Sequence, residues 1–343
     1  MIIKQQMLLD FLGTPDVQLI IPVYQRVYAW GARQCDGLFD DIMRAGRAER
    51  THFVGTVLYV PELGAAGVGT RFDVIDGQQR LATLTLLLAA LRDYVRDAGY
   101  ALEGVDAAGI DQRFLHVDGV EGVGKLVLSR ADRATLEAVI AGAELPGEDD
   151  VSANVVANYE HFRARMREGF AADEAQVLWR GMQQLLVITA ELDGEDRPQV
   201  VFESLNSKGM PLTTADLVRN LMLVSVGYDE QTRLYERYWA PIERLFGDDP
   251  GGVRLNAALH GWLAVTAPRL HVGSADEVYG AFKTYLEDLH TGTLEELLIG
   301  LKGFCETFAA KSQDSGAARA TAHATWGNGK VEGIISERKL FGD

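Results

Sequence analysis

The segment Val74–Leu84, V-I-D-G-Q-Q-R-L-A-T-L, narrows the fold of this chain more than any other stretch. Arg71–Ile75 reads as an apolar strand that meets an Asp-Gly pair, and beyond it leucines recur at 81, 84, 88 and 91. That change of period predicts a strand, a tight turn and a helix from about Gln78 to Arg96. Such a junction turns unpaired backbone N–H groups and the positive end of a helix towards whatever lies in front, which suits an anion. Asp76, Gln78, Gln79 and Arg80 crowd polar groups at this mouth, and Gly77 lets the backbone approach a ligand or take a positive φ. The plain alternative, for this motif taken alone, is an ordinary turn with a solvated Gln-Gln-Arg cap.

A second motif lies upstream: I-P-V-Y-Q-R-V-Y-A-W, Ile21–Trp30. The apolar run Val17–Ile21 reads as a strand, and Pro22 stops it because proline cannot donate to a ladder. A short irregular segment then carries Tyr24, Gln25, Arg26, Tyr28 and Trp30. Large aromatics are unfavourable in water, so Tyr28 and Trp30 are expected to anchor the loop on the core. Tyr24, Gln25 and Arg26 are expected to serve a site, the arginine because a buried guanidinium needs a carboxylate or phosphate.

The formal net charge is −16, which argues against a protein that coats nucleic acid by bulk electrostatics. Residues 1–100 carry 10 basic and 11 acidic side chains, and residues 101–200 carry 9 and 19. The motif region is thus nearly neutral, and any DNA contact is expected to be local and selective. At 343 residues and 47% hydrophobic content the chain can bury a large core, and its length suggests two domains. No window approaches the roughly eighteen apolar residues of a membrane span, and the N-terminus has no secretory-signal pattern. Cys35 and Cys305 cannot make a disulfide framework and no Cys/His cluster has zinc spacing, so a reducing, cytoplasmic setting is expected.

Along the chain the pattern predicts a helix over Lys4–Leu12, a helix over Ala32–Ala48, and a strand over His52–Val60 with Gly55 at a bulge or close approach. Short strands are expected at Arg113–Val117 and Lys125–Ser129, helices at about Val151–Glu168 and Asp173–Leu185, and a strand at Leu185–Leu192 that extends the first sheet. A third motif, F-E-S-L-N-S-K-G-M-P-L-T-T-A-D-L within Arg197–Leu217, reads as a helix, a polar turn and a new helix capped at Thr213 or Thr214. It is either a well-made helical corner or a turn that presents Asn206 and Lys208 to the same anion. Helices follow at about Asp229–Phe246, Val253–Val265, Asp276–Leu289 and Leu294–Ala310. The expected class is α+β: a small mixed region over 1–110, an acidic connecting region over 111–195, a mostly helical domain over 196–310 and a flexible tail over 311–343. No G-x-x-x-x-G-K-[ST] occurs, which excludes a Walker-type nucleotide site.

These three motifs, in this order and spacing, resemble the N-terminal domain family of GmrSD-type modification-dependent restriction enzymes, over about residues 1–310. The resemblance implies a ParB-like nucleotide-binding region followed by a helical domain, hydrolysis of nucleoside triphosphates, and a phosphate-binding role for Asp76–Arg80. Members act on glucosylated phage DNA or in phosphorothioate-based anti-phage defence. Arginine outnumbers lysine 25 to 8, as in proteins from high-GC genomes, which tilts the expectation towards the phosphorothioate branch typified by SspE. Such enzymes usually carry a C-terminal His-Asn-His nuclease domain, yet the seven histidines here are scattered. Nuclease activity is therefore not expected of these residues, and a nuclease domain is expected as a partner in the full-length protein.

The first functional expectation is a nucleoside triphosphatase that senses modified double-stranded DNA. Backbone N–H groups of Gly77–Gln79 and the Arg80 fork would hold the phosphates, and Asp76 would hold Mg²⁺ with GTP or another triphosphate. Gln78 or Gln79 would orient the attacking water, Arg26 would close over the phosphates, and Asn206 or Lys208 would complete the shell. The alternative is a modified-DNA-binding module with negligible turnover, in which Tyr24, Gln25, Tyr28 and Trp30 form an apolar cavity for a soft, poorly hydrated sulfur. The leucine-rich faces of the late helices leave a homo-oligomer possible.

Overall fold

The structure, a computed structural model, describes residues 1–63, 69–120, 122–148, 150–167, 169–192, 213–224, 226–247, 249, 252–274 and 277–314. Asn206, Lys208 and the tail beyond Asp314 lie outside them. The chain falls into two compact units, Met1–Met210 and Pro211–Asp343.

Six strands of the first unit share one mixed sheet: β1 (Ile2–Met7), β2 (Val17–Ile20), β3 (His52–Leu63), β4 (Thr70–Asp76), β5 (Leu126–Val127) and β6 (Leu185–Glu191), in the order β1-β6-β3-β4-β2-β5. β6 extends the sheet, as expected of Leu185–Leu192, antiparallel to β1 and parallel to β3. β3 is antiparallel to β4, while β4 and β5 both run parallel to β2. With helices on this sheet the class is α+β.

Two local readings are corrected. The helix expected over Lys4–Leu12 shrinks to α1 (Leu8–Leu12), because Ile2–Met7 pair along their whole length with Leu186–Glu191. Arg113–Val117 is not a strand. Asp111–Leu115 form a π-turn that continues α4 (Ala107–Ile110), and His116 makes only an isolated bridge to Gly124.

α3 (Gln78–Ala98) is the central helix, and every residue from Leu81 to Leu91 is buried. A helix apolar on all sides belongs inside a core. It lies against α4, α5 (Arg130–Ala141) and α6 (Ala153–Arg165). α2 spans Ala32–Ala48, as read from the sequence, and crosses α7 (Ala172–Gln183) at two glycines. A Cβ on Gly46 would stand 2.0 Å from the Val177 carbonyl oxygen, and one on Gly181 would stand 2.0 Å from that of Ile42.

Asp73, on β4, is 4% exposed. Burial and then the neighbouring Glu62 push its carboxyl up to about 7, against the pull of Arg71. An unfolded chain releases this proton near the ordinary aspartate value of about 4. Between those two values the folded protein therefore holds a proton that the unfolded chain has lost, and stability falls as pH rises through the window. Thermal melts at several pH values are expected to show this decline, and Asp73→Asn to flatten it. An unchanged slope in the variant would assign the decline to other groups.

The second unit is helical across its described residues, from Thr214 to Asp314. Thr213 opens it as the sequence suggested: its hydroxyl accepts the Asp216 N–H at 3.1 Å, while the Asp216 carboxylate accepts the Thr213 N–H at 3.1 Å. Arg219, 3% exposed, is neutralised by Asp216 at 2.7 Å and Glu243 at 2.5 Å. Trp262 stacks on Phe282 with ring centroids 5.2 Å apart. No helix among the described residues is long and apolar enough to cross a membrane.

Candidate functional site

The strands β4, β2 and β5 run in one direction, so their carboxyl ends share one edge of the sheet. Each hands the chain to polar groups there: β4 to Asp76–Arg80, β2 to the loop that bears Arg26, and β5 to Ser129 and, in the first turn of α5, Asp132. Crevices outside the carboxyl ends of parallel strands are where α/β sheets bind ligands. A narrow cleft at this edge, with a free volume of about 10 Å³, is lined by Arg26, Tyr28, Gln78, Gln79, Ser129 and Asp132, together with apolar Ile21, Ala82 and Leu128.

Gly77 begins α3 at φ +95°, and a Cβ there would lie 3.0 Å from the Thr56 carbonyl oxygen. The backbone therefore turns hard against β3, as only glycine permits. The helix has no side-chain cap, and its first internal bond runs from the Leu81 N–H to the Gly77 carbonyl at 3.0 Å. The N–H groups of Gln78, Gln79 and Arg80 consequently have no acceptor within the helix. The Gly77 N–H is directed to the Asp76 carboxylate.

Arg80 donates through Nη1 to the Thr56 carbonyl at 3.3 Å. Its guanidinium occupies the space a side chain at Gly55 would fill, since a Cβ there would be 2.7 Å from Nη2. The bulge read at Gly55 is present: φ is +107° and the β3–β6 register shifts between Phe53 and Thr56. Burial raises the Asp76 carboxyl above the usual aspartate range, although the Gly77 N–H, Arg80 and Arg26 all pull it down. Burial likewise lowers Arg80, opposed by Asp76, and the guanidinium stays charged at neutral pH. Gln78 Oε1 is buried with no hydrogen-bond partner, and its side chain lines the cleft. Asp76, Arg80, Gln78 and Arg26 are thus gathered in one place.

The aromatic loop is tied to the core by side-chain hydrogen bonds. Gln79 Oε1 accepts the Ala29 N–H at 2.8 Å and its Nε2 donates to the Val27 carbonyl at 3.2 Å, so its amide splints the loop to α3. Gln25, 2% exposed, donates to the Ile75 carbonyl at 3.0 Å. Tyr24 and Tyr28 are 2% and 3% exposed, and Trp30 packs partly buried against the core. Asn158 Nδ2 donates to the Tyr28 hydroxyl at 3.0 Å, which donates to Thr83 Oγ1 at 2.7 Å, which donates to the Gln79 carbonyl at 2.8 Å. The Tyr28 N–H is held by Asp132 at 2.6 Å, its carbonyl by Asn154 at 3.0 Å, and the Trp30 carbonyl by Asn158 at 2.7 Å. The anchoring expected of Tyr28 and Trp30 holds. Of the four residues expected to sense modified DNA, Tyr24 and Gln25 are buried, Trp30 is partly buried, and Tyr28 lines the cleft.

Asp132, Asn154, Asn158, Thr83 and Ser129 were not singled out by sequence. Only Ser129 and Asp132 carried a signal, the S-x-x-D pattern of a capping box. The pattern is not used as a cap: the Ser129 side chain caps no N–H of α5, and Asp132 is spent on Tyr28 and the Ser152 hydroxyl. Asn158→Ala would leave the Trp30 carbonyl without that donor, and is expected to cost about 2 kcal/mol in urea unfolding. A loss below the error of the measurement would mean water replaces the amide.

Comparison with individual curated proteins returned no match to this chain. The family model described as GmrSD restriction endonuclease, N-terminal domain, matches residues 8–223. That span takes in all of the gathered residues, and the helices from Tyr228 onward lie beyond it. With well over half of its length matched, the chain belongs to the GmrSD restriction endonuclease N-terminal domain family.

Proposed function

We propose that this chain is the nucleoside-triphosphate-hydrolysing sensor of a restriction factor, coupling recognition of modified DNA, phosphorothioate-bearing or glucosylated, to a nuclease domain outside these residues. The carrying observation is the start of α3, where a helix without a side-chain cap, Asp76, the unpartnered Gln78 Oε1 and two guanidiniums converge. Fixed N–H donors and planar cations are the groups that stabilise charge on a transferring phosphoryl. Arg80, seated on the glycine bulge of β3, and Arg26, carried by the splinted loop, would grip the phosphates from two elements. Gln78 Oε1 would accept a hydrogen bond from the attacking water and orient it. Gln79 is the positioning residue that holds the Arg26 loop.

The residues also suit magnesium, which prefers one or two carboxylates and otherwise keeps water and phosphate oxygens. Among the described residues no group of three His, Cys, Asp or Glu side chains forms a dedicated cage. Asp76 would hold the ion, with Gln78 Oε1 as an acceptor for its water. When bound it would neutralise charge on the phosphates.

Phosphate release with each of the four triphosphates, with and without modified duplex and with magnesium withheld, tests the reading. Magnesium-dependent turnover that modified DNA alters is expected. Nucleotide binding with no release in any condition would leave the binding-module alternative.

A further inference from the structure

The outer edge of the sheet is the feature that the site leaves unused. Among the described residues β1 has one neighbour, β6, and its register runs unbroken from Ile2–Glu191 to Met7–Leu186. Natural edge strands are usually short, bulged, or guarded by proline or charge, because their unpaired N–H and C=O groups template another strand. β1 has six residues, no bulge, no proline and a single charge at Lys4. The opposite edge, β5, is only two residues long. Ile2 and Ile3 are 52% and 61% exposed, so both faces of β1 present isoleucine to solvent. On the Ile3 face the apolar surface continues inward: Met7 lies beside Leu186, and Leu186 beside Phe53, which is 51% exposed.

We propose that β1 is a dimerisation strand, pairing antiparallel with β1 of a second copy and joining two six-stranded sheets into one. The partner follows from the strand's own pattern. A two-fold axis through an antiparallel pair keeps like faces together, so opposed residues must share the same alternation. The register centred on Lys4 sets like charges against each other, which is unfavourable. Centring on Gln5 places Gln5 opposite Gln5, Lys4 opposite Gln6 and Ile3 opposite Met7, and continues the apolar face across the axis. The charge of −16 on each copy opposes association at long range, so salt strengthens the dimer.

Sedimentation of the full chain over the micromolar range is expected to show the 37.6 kDa species doubling in mass, at lower concentration as salt is raised. Gln5→Cys is expected to form a disulfide-linked dimer on mild oxidation, since residues opposed in an antiparallel pair lie at disulfide distance. Lys4→Cys and Gln6→Cys, off the axis, are expected to link at least tenfold less. Cys35 and Cys305 are buried and give no background. Ile3→Lys changes an exposed side chain, so it is expected to keep the monomer's circular dichroism while weakening the dimer at least tenfold. A chain that stays monomeric at every concentration and salt overturns the proposal, as does a dimer indifferent to Ile3→Lys. Linkage at Lys4→Cys in preference to Gln5→Cys overturns the register.

Discussion

Arg80→Ala is expected to lower triphosphate hydrolysis at least about a hundredfold, on the order of 3 kcal/mol of transition-state stabilisation, while the protein stays folded. The arginine combines charge with position. Its guanidinium lies in the vacancy above Gly55, bonded to the Thr56 carbonyl, one turn into a helix whose leading N–H groups have no acceptor within it. Arg80→Lys keeps a cation but loses the planar fork, and is expected to recover only part of the rate. Gly55→Ala leaves every charge in place and displaces the guanidinium sterically, so it is expected to fall in the same direction. Circular dichroism and phosphate release on the three variants decide the matter. A folded Arg80→Ala protein with the unaltered rate would remove this junction from the chemistry.

Gly181→Val is expected to be the most damaging single change to stability, by about 3 kcal/mol or more. Its side chain would begin 2.0 Å from the Ile42 carbonyl oxygen, inside a contact between α2 and α7 that no rotamer can relieve. The helices would have to part along their length, opening the packing around Phe39 and Leu178 in the same core. A lower urea midpoint, or loss of soluble protein, is the expected result. A variant as stable as the parent would mean the two helices are less closely packed than described.

The sequence disclosed elements whose signals are local. The switch of period at Asp76-Gly77 marked the strand and the helix, and Ala32–Ala48 carried its own apolar face. Ile2–Met7 misled because lysine and glutamines favour helices, and only pairing with β6, distant in the sequence, made them a strand. The burial of Tyr24 and Gln25 was hidden for a similar reason. Polar residues in an aromatic loop suggest a ligand until their partners are known, and for Gln25 that partner is the Ile75 carbonyl, fifty residues away. Asp132 and Asn158 were invisible because nothing in their neighbourhoods records that they reach the loop.

The Gln79 splint makes two distant stretches of sequence a single inherited unit. Its carboxamide reads one acceptor and one donor of the loop backbone, at Val27 and Ala29, without regard to the loop's side chains. These two bonds do not depend on the side chains at 27 and 29, but they exclude a proline at position 29, which would delete the donor. Conversely, Gln79→Glu would set an acceptor against the Val27 carbonyl and disturb Arg26 without touching it. A graft of the Ile21–Trp30 loop into another scaffold would have to bring the first turn of α3 with it.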